Sequence, residues 1–364
     1  ALSGMTIYGG GKNNALTKLT NTKWLACGEV PAHCVAVEMV SGGFLVGDKI
    51  DFSDSYWQNQ ATWIRENKAV MCGGAAGYKY IGCELITADS RVLTKQASIQ
   101  VQASDSTIKT YTQNPSMVTL EDGKIFMCFM ERFADSSSNL VCTFLTEKDG
   151  TLKSESKFVM EDKLHWAGQS AAMGMLAKGK VLMCLHTGPK DKRMIAKVLT
   201  IDGTSVSSGP VLELPYHSGL GGLYKVAVMN SLEALYCDPV KHQCSLISVS
   251  GDKLTLSDPL QMDNYGWPYA SIATLWSDRV MYCAGSKKDN RPANPWCTTV
   301  TCKDKKCTKG KASHPNDADD KNPQCYRPAV RTLVPGKVVV CTEDNDNDIA
   351  QGKPFCAVYA LPSS

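Results

Sequence analysis

Short apolar runs alternate with turn residues along the chain, and the runs that recur end in a cysteine. One copy starts at a turn residue such as Gly, Asp, Asn or Lys and passes through mostly apolar positions to the Cys, as in residues 123–128. The copies end at Cys27, Cys72, Cys128, Cys184, Cys237, Cys283 and Cys341. Successive cysteines lie 45, 56, 56, 53, 46 and 58 residues apart. Such a period indicates a repeat architecture in which each repeat forms one supersecondary unit.

Each copy has room for four β-strands. Small and β-branched residues precede the cysteine phrase, for example at 270–275, and they suit an innermost strand where neighbouring units crowd together. The phrase itself is the second strand, and a segment such as 141–145 is the third. A turn such as the Asp-Gly pair at 149–150 then leads to a fourth strand. Helix-period stretches are lacking, so the pattern predicts an all-β chain.

The two ends of the chain complete each other in this scheme. The seventh copy stops after its third strand, at residues 355–361, and therefore lacks a fourth. Residues 4–9 precede the first copy and are left over. We expect this N-terminal segment to pair as the outer strand of the last unit. Closure of this kind removes the exposed sheet edges that an open stack would present.

With these seven copies, the chain resembles seven-bladed β-propeller repeat proteins over essentially its whole length. The resemblance implies a single propeller domain of four-stranded blades, because a closed repeat stays one domain at 364 residues. The expected blades span residues 11–55, 56–110, 111–164, 165–216, 217–264, 265–322 and 323–361, with 4–9 as the closing outer strand. The WD dipeptide, the kelch double glycine and the sialidase box S-x-D-x-G-x-T-W are absent. The resemblance therefore implies a scaffold and no named family.

The sixteen cysteines fall into order on these strands. In six copies a third-strand Cys follows the second-strand Cys after 7 to 15 residues. Cysteines that face each other across a hairpin meet disulfide geometry, and each bond would contribute roughly 2–3 kcal/mol. The expected pairs are Cys27–Cys34, Cys72–Cys83, Cys128–Cys142, Cys237–Cys244, Cys283–Cys297 and Cys341–Cys356, with Cys302–Cys307 across a short turn.

Two cysteines have no partner in this scheme. In the fourth copy Ala196 stands at the position where a partner for Cys184 is expected, which predicts a buried, inert thiol. Cys325 is expected to be free or paired elsewhere. A zinc site at the Cys-x4-Cys-x4-Cys run that begins at Cys297 is the alternative, but the run lacks a second close pair. So many disulfides predict a secreted protein or another oxidising compartment.

Charge and hydropathy exclude several classes of function. The chain has 39 basic and 36 acidic residues and a net charge of +3, so charge gives no signal for nucleic acid or a membrane surface. No apolar stretch approaches the ~20 residues that span a bilayer. The first residues contain neither a basic n-region nor an apolar h-region. Any signal peptide is therefore expected to have been removed.

We expect function on the face that carries the loops between second and third strands. These loops and the interblade connections surround one mouth of the central channel, and the disulfides stiffen them, which lowers the ordering cost of binding. Aromatic rings there would stack on the C–H surface of a glycan or another small polar ligand, while amides bridge its hydroxyls. The candidates are Trp57, Gln60, Gln113, His165, Trp166, Gln169, His217, Trp267, Tyr269, Tyr326 and Arg327. For the three tryptophans, packing between blades is the alternative.

Carboxylates supply candidates for catalysis. Glu131 with Asp238 or Glu343 could face each other across the mouth, as glycosidases require. A sialidase would also need an arginine cluster, and Arg331 lies in a first strand. No Gly-x-Ser-x-Gly or His-Glu-x-x-His motif is present.

A Ca²⁺ ion is the one cofactor that the sequence raises, and none is required. Asp344, Asp346 and Asp348 alternate with the amides Asn345 and Asn347 in a way that could wrap Ca²⁺. The run lacks the Gly and Glu of an EF-hand loop, which favours a solvated acidic loop.

Three functional hypotheses remain. The first is a secreted propeller that binds a glycan or small polar ligand at the channel mouth. The second is a secreted carbohydrate-active hydrolase or lyase that uses the same face. The third is a structural subunit of an extracellular assembly, with a protein partner bound through blade edges.

Overall fold

The computed structural model describes residues 2–6, 15–29, 32–41, 43–52, 57–75, 79–102, 110–133, 135, 137–165, 171–187, 194–215, 225–263, 266–288, 291–313, 328–342 and 355–361. All regular secondary structure in these residues is β-strand. The strands form seven small antiparallel sheets arranged in a ring, so the molecule is a seven-bladed β-propeller. The predicted all-β class and propeller architecture are confirmed.

The blades follow the chain, each running outward from its innermost strand. A first strand, β1 (Leu2–Thr6), precedes blade 1. Blade 1 contains β2 (Ala15–Lys18), β3 (Lys23–Glu29), β4 (Ala32–Val40), β5 (Gly43–Val46) and β6 (Ile50–Asp51). Blade 2 contains β7 (Trp57–Arg65), β8 (Lys68–Gly74), β9 (Tyr80–Asp89) and β10 (Val92–Gln102). Blade 3 contains β11 (Thr110–Thr119), β12 (Ile125–Arg132), β13 (Ser137–Lys148), β14 (Thr151–Ser154) and β15 (Phe158–His165).

The remaining four blades repeat this plan. Blade 4 contains β16 (Ala172–Ala177), β17 (Lys180–His186), β18 (Met194–Asp202), β19 (Ser205–Ser208) and β20 (Leu212–Leu214). Blade 5 contains β21 (Lys225–Asn230), β22 (Glu233–Asp238), β23 (Gln243–Ser250), β24 (Lys253–Leu256) and β25 (Leu260–Gln261). Blade 6 contains β26 (Gly266–Trp276), β27 (Arg279–Lys288), β28 (Arg291–Lys303) and β29 (Lys306–Lys309). Blade 7 contains β30 (Ala329–Val334), β31 (Lys337–Thr342) and β32 (Phe355–Ala360).

The ring closes between the two ends of the chain, as predicted. Strand β1 pairs antiparallel with β32, with Leu2 opposite Val358 and Thr6 opposite Phe355. The N-terminal segment is thus the fourth strand of blade 7. It spans Leu2–Thr6, where we expected 4–9, and residues 7–9 lie outside the described part of the chain. Each innermost strand contacts those of both neighbouring blades, including β30 with β2.

The outer edge of a blade is commonly made of two short strands. In blades 1, 3, 4 and 5 a second short strand follows the fourth strand and pairs with the same third strand. At the break in two of these blades a glycine amide donates to a third-strand carbonyl. Gly47 N lies 2.8 Å from Ala36 O, and Gly209 N lies 2.8 Å from Val198 O. These bonds keep the edge attached to the blade where regular pairing stops.

The hydrophobic core is divided among the seven gaps between blades. Successive side chains on a strand point to opposite faces, so every blade contributes one face to each of two gaps. Between blades 1 and 2, Leu25 packs in one cluster with Met71 and Ile86. Between blades 7 and 1, Trp24 packs with Val339, and this cluster has the same form as the others. The gap between blades 7 and 1, where the ring closes, is therefore filled by a hydrophobic cluster like those of the other gaps.

The seven predicted disulfides are present, and they follow from the strand register. The Cα–Cα distances are 4.0–4.1 Å, and each pair lies directly opposite on neighbouring antiparallel strands. Such close opposition is typical of the narrow, non-hydrogen-bonded pairs of an antiparallel ladder. In blade 4 the same register places Cys184 opposite Ala196, and Cys184 is a buried free cysteine, as predicted. Cys325 lies outside the described residues.

Side-chain hydrogen bonds also join neighbouring innermost strands. Three threonines at equivalent positions donate to a carbonyl of the preceding blade: Thr119 to Trp63, Thr274 to Val228 and Thr332 to Thr274. Where blade 7 meets blade 1, Arg331 Nε donates to Leu16 O at 2.9 Å. A net hydrogen bond contributes about 1 kcal/mol, so these contacts fix the spacing of the ring more than they add to its stability.

An ion-pair cluster ties blade 2 to blade 3 near their turns. Arg65 Nη2 and Lys68 Nζ lie 2.5 and 3.0 Å from the two carboxylate oxygens of Glu147, and Gly150 N donates to one of them at 3.0 Å. Desolvation raises the pKa of Glu147, but the hydrogen bonds from Lys68 and Gly150 and the two positive charges outweigh it. The net result is a pKa below the usual value.

Ala196→Cys should complete the disulfide that blade 4 lacks, because Cys184 and Ala196 occupy the register of the other pairs. The bond closes a loop of about twelve residues and should stabilise the fold by about 3 kcal/mol, less any cost of packing the added sulfur. Peptide mapping under non-reducing conditions and the Tm measure both effects, with Ala196→Ser as the control. A variant that keeps two free thiols after oxidation would contradict the register.

Glu147→Gln should destabilise the protein at pH 7 by about 1 kcal/mol, since solvent screens the exposed Arg65 end of the cluster. The folded-state pKa lies below the unfolded one, so this stabilisation is present above the unfolded value of about 4.3 and is lost as pH falls through the folded pKa. Urea unfolding at pH 7 and pH 3 measures the difference. A gap between wild type and variant that widens at pH 3 would show that the sign is wrong.

Candidate functional site

The two faces of the ring carry different connections. We call loop face the side with the connections between second and third strands and between blades. We call turn face the side with the turns between first and second strands and between third and fourth strands. The disulfides between second and third strands lie toward the loop face, because each pair closes a loop such as 28–33 or 238–243. The loop face surrounds one mouth of the central channel.

Many of the predicted site residues belong to loops outside the described part of the chain. These are Trp166, Gln169, His217, Tyr326, Arg327, Glu343, Asp344, Asp346 and Asp348. For five others the structure describes the backbone alone. Trp57, Gln113, Trp267 and Tyr269 lie in the first halves of innermost strands, toward the loop face. His165 lies elsewhere, at the end of β15, opposite Ser137 of the third strand in blade 3.

Gln60 belongs to a level of the channel wall that the register defines. In every blade one residue of the innermost strand lies opposite the cysteine of the second strand, as Gln60 lies opposite Cys72. The seven residues of this level are Ala15, Gln60, Ser116, Ala172, Lys225, Ser271 and Ala329. Gln60 and Lys225 are half-buried, and Ser271 accepts a hydrogen bond from Val330 N at 3.1 Å. At this level of the ring five of the seven residues are small, and Gln60 and Lys225 are the two long polar side chains.

The innermost strands carry positive charge only. Their described residues include Lys18, Arg65, Lys225 and Arg331, and they include no Asp or Glu. A channel walled by low-dielectric sheets and one sign of charge concentrates its field, which favours ligands of the opposite sign. The net charge of the whole chain, +3, hides this asymmetry.

Lys225 and Arg331 stand on the innermost strands of blades 5 and 7, the two neighbours of blade 6. On β26 of blade 6, Ser271 and Ala273 are both small, and Arg331 Nε bonds Leu16 O of blade 1. Burial and the charge of Arg331 together lower the pKa of Lys225 to about 8, and burial also lowers the pKa of Arg331. These two desolvated cations have no acidic partner on any described innermost strand. They would therefore favour binding of a carboxylate or another oxyanion. We did not single out Lys225 from the sequence, although counting charges on the predicted innermost strands would have found it.

The two described catalytic candidates lie on second strands of different blades. Glu131 of β12 is buried, with its carboxylate 3.6 Å from Lys157 Nζ. Asp238 ends β22, where Oδ1 accepts hydrogen bonds from Val240 N at 2.9 Å and Lys241 N at 3.2 Å. Both carboxylates thus have local structural partners. They stand on blades 3 and 5, with blade 4 between them in chain order.

His242 lies beside Asp238 inside the loop that Cys237–Cys244 closes. Burial lowers the pKa of His242, and the charge of Asp238 opposes that shift. His242 adopts a left-handed backbone conformation with φ of 52°. This conformation costs energy, and the Cys237–Cys244 disulfide and the hydrogen bonds to Asp238 hold the loop in it.

Metal and membrane sites are not found in the part of the chain that the structure describes. Among the described residues there is no group of three His, Cys, Asp or Glu arranged to hold a metal ion. The cysteines of the zinc alternative are consumed by disulfides, Cys283–Cys297 and Cys302–Cys307. Within the same residues no helix is long and apolar enough to cross a membrane.

Comparison with known proteins supports the fold and leaves the activity open. No protein-family model and no curated protein matches the chain. A functionally unknown protein from Desulfotomaculum acetoxidans superimposes with a TM-score of 0.59 at 9% identity, covering 94% of this chain and 93% of that one. The Hadza microbial sialidase Hz136 gives 0.53 at 8%, and the Trypanosoma rangeli sialidase gives 0.55 at 8%. These two matches include 96% and 98% of this chain. They include only 65% and 59% of the length of the two sialidases. At such identities the likeness shows the propeller fold alone.

Proposed function

We propose that this protein is a secreted binding protein that takes a small acidic ligand, such as the uronic acid terminus of a glycan, at the loop-face mouth of its channel. The observation that carries the proposal is the one-signed charge of the described innermost strands, with Lys225 on blade 5 and Arg331 on blade 7. A carboxylate between them would restore the interactions that both cations lose on burial.

Two further features support this proposal. Six disulfides join second to third strands, so the strand ends next to the mouth are held before a ligand arrives, which favours a low ordering cost on binding. The number of disulfides favours an oxidising compartment, as a secreted protein would meet. The sialidases among the similar structures are glycan-active proteins on the same scaffold, which makes a sugar a reasonable carrier of the acidic group.

A hydrolase that acts on the same ligand is the second candidate. It is favoured by one observation, Asp238 Oδ2, which is buried and has no hydrogen-bond partner among the described residues. Turnover of a bound acidic glycoside, abolished by Asp238→Asn with binding retained, would establish the hydrolase. Binding of the glycoside without turnover would support the ligand-binding function instead of the hydrolase.

Lys225→Met should weaken binding of glucuronate at least about tenfold, since a charge-assisted hydrogen bond contributes about 1.5–3 kcal/mol. Isothermal titration at pH 7 and low salt measures this, with glucose as the neutral analogue that should not bind. Lys253→Met removes an exposed lysine of the outer strand β24 and serves as the matched control. Binding should also weaken as pH rises above about 8 in the wild type and persist to higher pH in Lys225→Arg. Equal binding of glucose and glucuronate would overturn the proposal.

A further inference from the structure

A groove of about 560 Å³ opens on the turn face, between blades 1 and 2. It lies on the opposite side of the ring from the loop-face mouth. Its walls are the turn between β2 and β3 and the turn between β7 and β8, together with Glu38 of β4 and Trp63 of β7. All the lining residues belong to the described part of the chain. The volume is in the range of pockets that hold small molecules.

Trp63 gives the groove an exposed aromatic surface. The side chain is 40% exposed, although it stands on an innermost strand. The residues at the same level in blades 3, 6 and 7 are Thr119, Thr274 and Thr332. Their hydroxyls donate hydrogen bonds to backbone carbonyls of the preceding blade. In blade 2 a backbone bond joins the seam, from Asn67 N to Leu19 O at 3.1 Å. The indole of Trp63 therefore takes no part in the hydrogen bonding between blades 1 and 2, and closure of the ring does not require it to be exposed.

Polar groups without partners border the same groove. Asn67 has φ of 58° at a turn where blades 3, 4 and 7 have Gly123, Gly179 and Gly336, also with positive φ. A glycine would fit this backbone with less strain, whereas Asn67 keeps an amide whose Oδ1 is buried and has no hydrogen-bond partner among the described residues. A buried polar atom left in this state lowers stability unless something binds it.

Lys23 is a second such group. It is only 7% exposed and lines the groove, opposite Glu38 in the ladder of β3 and β4. The two residues share the groove without forming an ion pair in the described structure. With Lys18 and Glu66 the lining carries two positive and two negative charges, so the groove is electrically balanced. It contrasts with the described innermost strands, whose charged residues are all basic.

The wall of blade 1 is held rigidly in place. Leu19 N donates to Lys23 O at 2.9 Å, and Met39 N donates to Thr22 O at 2.8 Å. Thr22 N also donates to Thr20 Oγ1 at 3.2 Å, which closes the turn. A groove with fixed walls loses little entropy when it is filled.

We propose that this groove is a second binding site, which takes the pyranose ring of a neutral saccharide. A pyranose presents an apolar C–H face, which suits the indole of Trp63, and a rim of hydroxyls that both donate and accept. Lys23 donates and Glu38 accepts, and Asn67, which lines the groove, bonds a hydroxyl once its side chain turns its amide toward the ligand. The balanced charge favours a neutral sugar over an acidic one. The site does not depend on the loop-face proposal, because neither Lys225 nor Arg331 lines the groove.

Titration with methyl β-glucoside, methyl β-galactoside and methyl α-mannoside tests the site. The indole N–H resonance of Trp63, assigned by its loss in Trp63→Phe, should shift with at least one of the three. Trp63→Ala should weaken that binding at least about tenfold. Asn67→Gly should weaken it about fivefold, the value of one hydrogen bond, with little change in Tm because glycine suits this turn.

Two controls separate the site from general effects. Leu232→Ala removes an exposed apolar side chain, 59% exposed, from the corresponding turn of blade 5 and should leave binding unchanged. Lys225→Met should also leave it unchanged, so failure at the loop face and failure at the groove are distinguishable. The proposal is overturned if none of the three glycosides shifts the Trp63 resonance, if binding survives Trp63→Ala, or if glucuronate binds there more tightly than the neutral glycosides.

Discussion

Closure of the ring is the constraint on which the rest of this structure depends. Each blade is a small sheet with two apolar faces, and neither face can be buried within the blade itself. The core is consequently spread over the gaps, and the gap between blades 7 and 1 is filled by Trp24, Val339 and Val358 like any other. It forms only if β1 pairs with β32 and if Arg331 and β30 meet β2.

The disulfides answer a different need. A small four-stranded blade has a short hairpin at its loop end, and the covalent bond between directly opposed cysteines holds that hairpin while the loop beyond it varies in length. Sulfur also contributes to packing between blades, as Cys34 Sγ lies 3.7 Å from Met71 Sδ of the next blade. Blade 4 manages without the bond, with Cys184 packed as a small apolar side chain in its core. Among the described residues the covalent framework is therefore local to each blade, and the blades are joined by packing, hydrogen bonds and ion pairs such as those of Glu147.

The sequence predicted those features that depend on local register and on counting. A cysteine repeated in each second strand, followed by one in the third, has a single natural partner, so six pairs and the exception at Cys184 could be predicted without coordinates, and the short spacing of Cys302 and Cys307 predicted the seventh. The spare segment before blade 1 likewise identified the closing strand. The split outer edges at Gly47 and Gly209 depend on how the third strand bends, which the residue pattern does not show.

The candidate sites depend on which residues share a level in the assembled ring, and this is where sequence reasoning fell short. Lys225 and Arg331 lie about a hundred residues apart in the sequence, and the charge of one acts on the other only because β21 and β30 are both neighbours of β26 in the ring. Trp63 becomes notable only when its level is compared with the threonines of blades 3, 6 and 7. Asp238 was a reasonable catalytic candidate as an isolated carboxylate, yet its main contacts are the amides of its own turn.

Native-state hydrogen exchange on the amides of β1 tests closure most directly. If closure governs the whole fold, the bonded amides of β1 and β32 exchange only through global unfolding, with the same free energy of opening as those of β31 near Val339. Exchange of β1 amides through a local opening several kcal/mol below that of β31 would contradict the account, because the last blade would then be stable without its N-terminal strand.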